Sequence, residues 1–304
     1  MYLKNSINKS PFALVINWRF HIKNRWVSIF APHLVKEFIK AFNPLIISSQ
    51  VEYDLFKRKI KYILSMEPGW AAPKISYDKK IGHIICVMAS DPHNKTFWFK
   101  EYVLENRIDF VLSQYDTPFF YHYPDFPRDR FCHFPWAVPE KFIEQNPIKS
   151  RSNEVIIFGG QRSDAYDLRN WCRLQTNVIN YNNSGVENKK YSDYEYYCWL
   201  TEFDAIIAAG SCDPQYDLVT PKYFEIAAAG ALLIGQYCND LKRLGFNESN
   251  CVIFQKNTFN KLIQEYKANH KKYLNVREKG RDLIVERHLV SHRIELLKKL
   301  FKRN

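Results

Sequence analysis

Glycine is scarce, with 10 residues in a chain of 304. Those present form neither G-x-G-x-x-G nor G-x-x-x-x-G-K-[ST], so the dinucleotide fingerprint and the P-loop are both excluded. Paired cysteines are lacking too. The 7 cysteines, at 86, 132, 172, 198, 212, 238 and 251, make no C-x-x-C, which removes a zinc ribbon or redox dithiol. Ordinary thiols in a reducing cytoplasm are the expectation. No run approaches roughly 18 apolar residues, so no membrane-spanning helix is expected. Met1 to Lys9 is polar and has no apolar signal core, so secretion is not expected. Acidic charge is in deficit: 44 Lys and Arg less 32 Asp and Glu leaves +12. That balance suits a polyanionic or phosphate-bearing partner. The basic residues are scattered and no nucleic-acid-binding motif accompanies them, so nucleic acid is not the expected partner. The basic end, Lys298 to Arg303, is a solvated helix end or a peripheral contact with anionic membrane.

What is abundant is aromatic: 22 Phe, 19 Tyr and 7 Trp, set in alternating strand and helix patterns. In the first half, Phe12–Asn17, Lys61–Met66, His83–Met88 and Phe110–Ser113 read as short apolar strands, with helices over Ile29–Phe42 and Thr96–Glu105. Thr117 to Pro139 holds five prolines and reads as irregular. In the second half the strands are Val155–Phe158, Val178–Tyr181, Asp204–Ala208, Ala231–Gly235 and Cys251–Phe254. Helices are expected near Leu168–Leu174, Tyr191–Thr201, Pro221–Ala229 and through most of Phe259–Lys302. Strands that are apolar throughout, rather than alternating, belong to parallel sheets covered on both faces. The polar stretch Gln145–Asn153 marks a boundary. The expectation is α/β architecture in two Rossmann-like domains, 1–148 and 149–304, with the last helix returning to the first and the ligand in a cleft between them.

Candidate site residues follow from where strands end. Gly159 and Gly160 close the Val155–Phe158 strand, and Arg162 lies in the next loop. The loop Ala209–Thr220 carries Asp217 and Thr220 to a helix that starts at Pro221, where a missing N–H costs nothing. Free N–H groups at such a helix start attract anions. Lys222 and Glu225, three apart, face one side of it. In the first half, Glu67 precedes Pro68-Gly69, and Asp91 and His93 follow the His83–Met88 strand. All three are positioned to take a proton from an acceptor hydroxyl. Plain turn residues are the competing reading for each.

The run Val219 to Gly235, VTPKYFEIAAAGALLIG, resembles the donor-site helix of GT-B glycosyltransferases, and in particular the "glycosyl transferases group 1" C-terminal module of CgeB-like proteins. The ending agrees: Arg277-Glu278-Lys279-Gly280-Arg281, then Glu286-Arg287-His288, then His292-Arg293. The resemblance covers 150 to 304; the first half shares only the α/β pattern. It implies the GT-B fold, two Rossmann-like domains facing across a cleft, and transfer of a sugar from a nucleotide- or phospho-sugar donor to a glycan or lipid-linked acceptor hydroxyl. The family's E-x7-E element falls on Asp217 and Glu225, with Asp in place of the first Glu. Lys222 and Arg162 take the phosphate-neutralising role, and no cofactor or obligatory metal is implied. The second half has no D-x-D. A phosphoribosyl diphosphate donor, or a non-catalytic carbohydrate-binding protein on the same frame, fits the same residues.

Overall fold

The computed structural model describes residues 10–23, 28–94, 96–144, 154–161, 164–181 and 191–302. Met1 to Lys9, the Gln145–Asn153 boundary, Arg162 and Arg303 lie outside the described residues. The chain divides into two compact units. The first comprises Met1–Trp26, Ala31–Pro135 and Arg293–Asn304; the second comprises Val27–Phe30 and Trp136–His292.

The first unit holds a six-stranded sheet. Its strands are β1 (Phe12–Val15), β2 (Leu45–Ile47), β3 (Tyr62–Ser65), β4 (Ile84–Ala89), β5 (Phe110–Ser113) and β6 (Phe131–His133), in the order β2-β1-β3-β4-β5-β6. Every pairing is parallel, and β4 is buried along all six residues, as its unbroken apolar sequence requires. Three elements escape sequence patterning, among them the short Trp18–Lys23 helix. Another is β2, only three residues long. The third is the Gln50–Phe56 helix, whose N-cap Ser49 accepts the Glu52 amide at 3.2 Å.

The proline-rich stretch is more regular than its composition suggests. Thr117–His122 is a helix with Pro118 in its first turn, and β6 lies between Pro127 and Pro135. Each of these prolines occupies a place where a missing N–H is tolerated. Phe119 holds the segment together, with ring centroids at 4.9 Å from Tyr123, 5.2 Å from Phe126 and 4.8 Å from Phe131.

The second unit repeats the pattern with five strands: β7 (Val155–Ile157), β8 (Ile179–Asn180), β9 (Ala205–Ala208), β10 (Leu232–Gln236) and β11 (Val252–Phe254), ordered β11-β10-β9-β7-β8 and all parallel. The helices Pro221–Ala228 and Leu274–Arg287 lie against one another and against β10. Gly280 makes this possible, because a Cβ there would stand 2.7 Å from the Asn250 carbonyl. Arg277 locks the same helix down. Its Nη1 meets Asp204 Oδ1 at 2.6 Å and its Nε donates to the Gly230 carbonyl at 2.7 Å, both deep in the core. Among the described residues, no helix is long and apolar enough to cross a membrane.

In both sheets the strand order reverses beside the first strand, between β1 and β3 and between β7 and β9. Loops leaving the carboxyl ends of such a pair diverge to opposite faces, which opens the usual ligand crevice of an α/β sheet. In the second unit that point lies at Gly159-Gly160 and Ala209-Gly210; in the first it lies at Asn17 and Glu67.

Candidate functional site

The Gly159-Gly160 turn is surrounded by cations. Gly159 has φ +107°, a conformation that disfavours side chains. A Cβ there would run into the Lys222 ammonium, and would stand 3.1 Å from Lys222 Cε and 3.4 Å from Arg169 Nη1. Glycine thus leaves the space that Lys222 fills. The lysine reaches from the first turn of the Pro221–Ala228 helix, donates to the Phe158 carbonyl and lies 3.7 Å from the centroid of the Phe158 ring.

Two further cations come from the Asp167–Arg173 helix, four residues apart and so on one face. Arg169 donates through Nε to the Ala209 carbonyl at 2.7 Å and through Nη1 to the Gly160 carbonyl at 3.2 Å. Arg173 donates through Nη2 to the Gly159 carbonyl at 2.5 Å and through Nε to Asn180 Oδ1 at 3.1 Å. Both are buried, and burial alone pulls Arg169 below its ordinary pKa. These carbonyl and amide partners are neutral, and the positive charges gathered at the turn attract an anion. Sequence reasoning missed both arginines. Their signal was available: a strand, a Gly-Gly turn and then two arginines at i, i+4 on the following helix.

The helix start adds to this. Thr220 sits at the N-cap position with φ −69° and ψ 166°, yet its hydroxyl makes no cap bond, and Oγ1 is buried with no hydrogen-bond partner. The preceding loop is held by Gln236, which accepts the Gly210 amide at 2.8 Å and donates to the Ser211 carbonyl at 2.5 Å. Asp217 turns onto Asn239, accepting its backbone amide at 3.0 Å and its side-chain amide at 2.7 Å.

Glu225 lies one turn further along the helix and is only 4 % exposed. Its Oε1 accepts the Ser28 hydroxyl and its Oε2 the Tyr196 hydroxyl, each at 3.0 Å. Burial raises its pKa; the two hydroxyls, the Lys222 charge and the Ile29 amide oppose that shift. Asp217 and Glu225 therefore answer to different partners: one to the loop after β10, the other to the Asp193–Leu200 helix and the Ser28 segment.

In the first unit, Glu67 is buried and its Oε2 accepts the Ser90 hydroxyl at 2.7 Å, which ties the ends of β3 and β4. Asp91 follows, and His93 lies in the 3-10 turn Pro92–Asn94 with its ring 6.3 Å from that of His122. Glu67, Asp91 and His93 thus share the carboxyl edge of one sheet, with Glu67 the deepest. Among the described residues, no group of three or more His, Cys, Asp or Glu is arranged to hold a metal ion.

Comparison with known proteins agrees with this architecture. Among solved structures, HepE of Anabaena with UDP-glucose superposes with a TM-score of 0.60 at 6 % identity, covering 95 % of this chain and 98 % of that one. A glycosyltransferase from Rickettsia africae gives 0.53 at 11 %, covering 96 % and 98 %. TarM, a mutant of which from S. aureus was also solved in complex with UDP, gives 0.57 at 12 %. There 82 % of this chain is matched, and it spans 57 % of TarM's length. At such identities the likeness is one of fold, and that fold is GT-B: two Rossmann-like α/β units. Among curated protein sequences none matches. The profile of the family described as glycosyl transferase-like matches residues 146–299, half of the chain, and the chain belongs to that family.

Proposed function

We propose that the chain transfers a sugar from a nucleotide-sugar donor, held by the second unit, to a hydroxyl of a glycan or lipid-linked acceptor, received by the first. The observation that carries this reading is the cation cluster of Lys222, Arg169 and Arg173 around the Gly159-Gly160 turn. A leaving nucleoside diphosphate develops negative charge, and preorganised cations beside a helix N-terminus stabilise it. Three side-chain cations supply what a divalent ion supplies elsewhere, so we read the reaction as metal-independent. Glu225 is the group for the donor's ribose hydroxyls, with Thr220 at the start of the same helix. UDP is the nucleotide favoured, because HepE was solved with UDP-glucose. Seven free cysteines suit the cytoplasm, where we set the reaction. Peripheral contact with anionic membrane through the basic Lys298–Lys302 end belongs to the same reading.

One observation favours the non-catalytic alternative: Asp217, already shorter than the family's Glu, is engaged by Asn239. The test is thermal denaturation with UDP, UDP-glucose, other nucleotide sugars and phosphoribosyl diphosphate, followed by donor hydrolysis and transfer assays with and without EDTA. A nucleotide donor at 100 times its Kd stabilises by about 2.7 kcal/mol. No stabilisation by any nucleotide sugar refutes the donor site. Binding without hydrolysis or transfer makes the protein non-catalytic. Activity abolished by EDTA and restored by magnesium refutes metal independence.

A further inference from the structure

A cavity of about 320 Å³ opens at the amino edge of the first sheet, the end opposite to Glu67, Asp91 and His93. That volume lies at the lower end of the pockets that hold small molecules, roughly 300–1,000 Å³. Leu104, 54 % exposed, forms its apolar wall with Ile108 and Phe110, and four charged residues complete it. Two of the four are fixed by the backbone. Arg130 donates through Nε to the Ile108 carbonyl at 3.1 Å and through Nη2 to the same oxygen. Asp109 accepts the Ile85 amide on Oδ2 at 2.7 Å. The other two, Arg107 and Asp129, are exposed, and among the described residues their side chains make no hydrogen bond or ion pair.

Arg107 is held where a side chain is disfavoured. The Thr96–Glu105 helix ends with the Ile108 amide donating to the Val103 carbonyl at 3.1 Å and the Arg107 amide to the Leu104 carbonyl at 3.3 Å. In a helix ending of this kind the left-handed position is usually glycine or asparagine. Arg107 occupies it at φ +50°. The other non-glycine residues with positive φ among the described ones are Asn43 and Asn177, of the type that tolerates it. A strained residue kept in place points to a use for its side chain. Here the strain sets a guanidinium on the wall of the cavity.

We propose that this cavity binds a small zwitterion with an apolar group, either an apolar α-amino acid or a short peptide of such residues. Its carboxylate meets the Arg107 guanidinium, its ammonium meets Asp129, and its apolar group lies on Leu104 and Phe110. An anion alone gains Arg107 but faces Asp109 and Asp129, and a cation alone faces Arg107 and Arg130. A neutral molecule strips water from Arg107 and Asp129 and returns no charge to either. Only a molecule bearing both signs answers both groups. Phe110 and Ser113 are three positions apart on β5, about 10 Å. A ligand here therefore stands a sheet's width away from the groups at the carboxyl edge and is not their substrate. The proposal holds whether or not the protein transfers a sugar.

The test is saturation-transfer NMR and calorimetric titration on the whole chain at neutral pH and physiological ionic strength. The probes are leucine, phenylalanine and the dipeptide glycyl-leucine. Two single-charge counterparts of leucine accompany them: 4-methylpentanoate, which lacks the ammonium, and isoamylamine, which lacks the carboxylate. At least one zwitterion should bind, at least about five-fold more tightly than either counterpart. Its Kd should rise at least about five-fold in Arg107→Gly and in Asp129→Asn. Arg107→Gly relieves the positive φ, so it should melt no lower than the wild type while losing the ligand. No binding by any zwitterion, equal binding of a single-charge counterpart, or undiminished binding in either variant overturns the proposal. A lower melting temperature for Arg107→Gly overturns it as well, because the arginine would then serve the fold.

Discussion

Replacing Glu225 with glutamine should make the protein more stable at neutral pH while weakening donor binding. The wild-type carboxylate is buried and accepts two hydroxyls at 3.0 Å. Hydrogen bonds to a charged group contribute about 1.5–3 kcal/mol each, against an effective desolvation cost of several kcal/mol for a buried ion. The raised pKa says that desolvation wins. The sign follows. At acid pH the carboxyl is protonated in both the folded and the unfolded state. As pH rises through the folded pKa, the unfolded chain ionises more readily and wild-type stability falls. Glutamine keeps an oxygen for one hydroxyl and an amide for the other and never ionises, so it escapes that loss. Glu225→Gln should match the wild type near pH 4.5 and exceed it by about 1–2 kcal/mol at pH 8, the surplus left when the two hydrogen bonds are set against desolvation. Glu225→Ala should instead lose about 2–5 kcal/mol, because it strands the Ser28 and Tyr196 hydroxyls. Urea denaturation at several pH values reads these differences, and titration with UDP-glucose should show at least a tenfold weaker Kd for Glu225→Gln, about 1.4 kcal/mol. A glutamine variant whose relative stability does not rise with pH refutes the burial argument. Unchanged donor affinity refutes the donor role.

Gly159→Ala forces a side chain into a positive-φ position and into the Lys222 ammonium, so donor affinity should fall at least about tenfold with roughly 1–3 kcal/mol of strain; calorimetric titration with UDP checks it, and full affinity would detach Lys222 from the site. Arg277→Met leaves Asp204 buried without its guanidinium and should cost about 3–5 kcal/mol, much of it recovered by adding Asp204→Asn, as measured by equilibrium unfolding. Asp91→Asn or His93→Ala should lower turnover by roughly 100-fold with donor affinity near normal; steady-state kinetics within twofold of wild type would discard both as proton acceptors.

Much of the fold was legible because parallel strands are buried on both faces and announce themselves as apolar runs; β4 and β9 are buried throughout. A short element such as β2 left no such trace, while β8 was legible only as part of the longer apolar stretch Val178–Tyr181. Proline count misled over Thr117–Pro139, because what matters is where each ring falls in a turn or helix. At the candidate site, Lys222 and Glu225 could be placed on one helix by motif. Their partners could not. Phe158 is 64 positions from Lys222, and Ser28 is 197 positions from Glu225, separations that no local pattern encodes. Arg169 and Arg173 are told from ordinary surface residues of an amphipathic helix only by the Gly-Gly turn before them and by their burial. Arg107 carries no signal at all in sequence, since a positive φ is a property of the folded backbone.

The way the chain is shared between the two units bears on how it is made. The first unit includes Arg293–Asn304, although the rest of it ends at Pro135. Within that unit the Val290–Phe301 helix supplies Leu297, Leu300 and Phe301, the last with its ring 5.6 Å from Phe12 and 5.4 Å from Tyr62. A ribosome adds roughly 5–20 residues per second. Between Pro135 and Arg293 it must make all of the second unit but Val27–Phe30, which takes on the order of 10–30 s at that pace. Through that interval Phe12, Phe42 and Tyr62 lack the Phe301 ring, so the face they form stays uncovered while the second unit is being synthesised. Folding from the amino end forward, the usual order for multidomain chains, leaves the first unit without its last helix until synthesis is complete. A chaperone that shields that aromatic face during synthesis should therefore raise the yield more than one acting on the finished second unit.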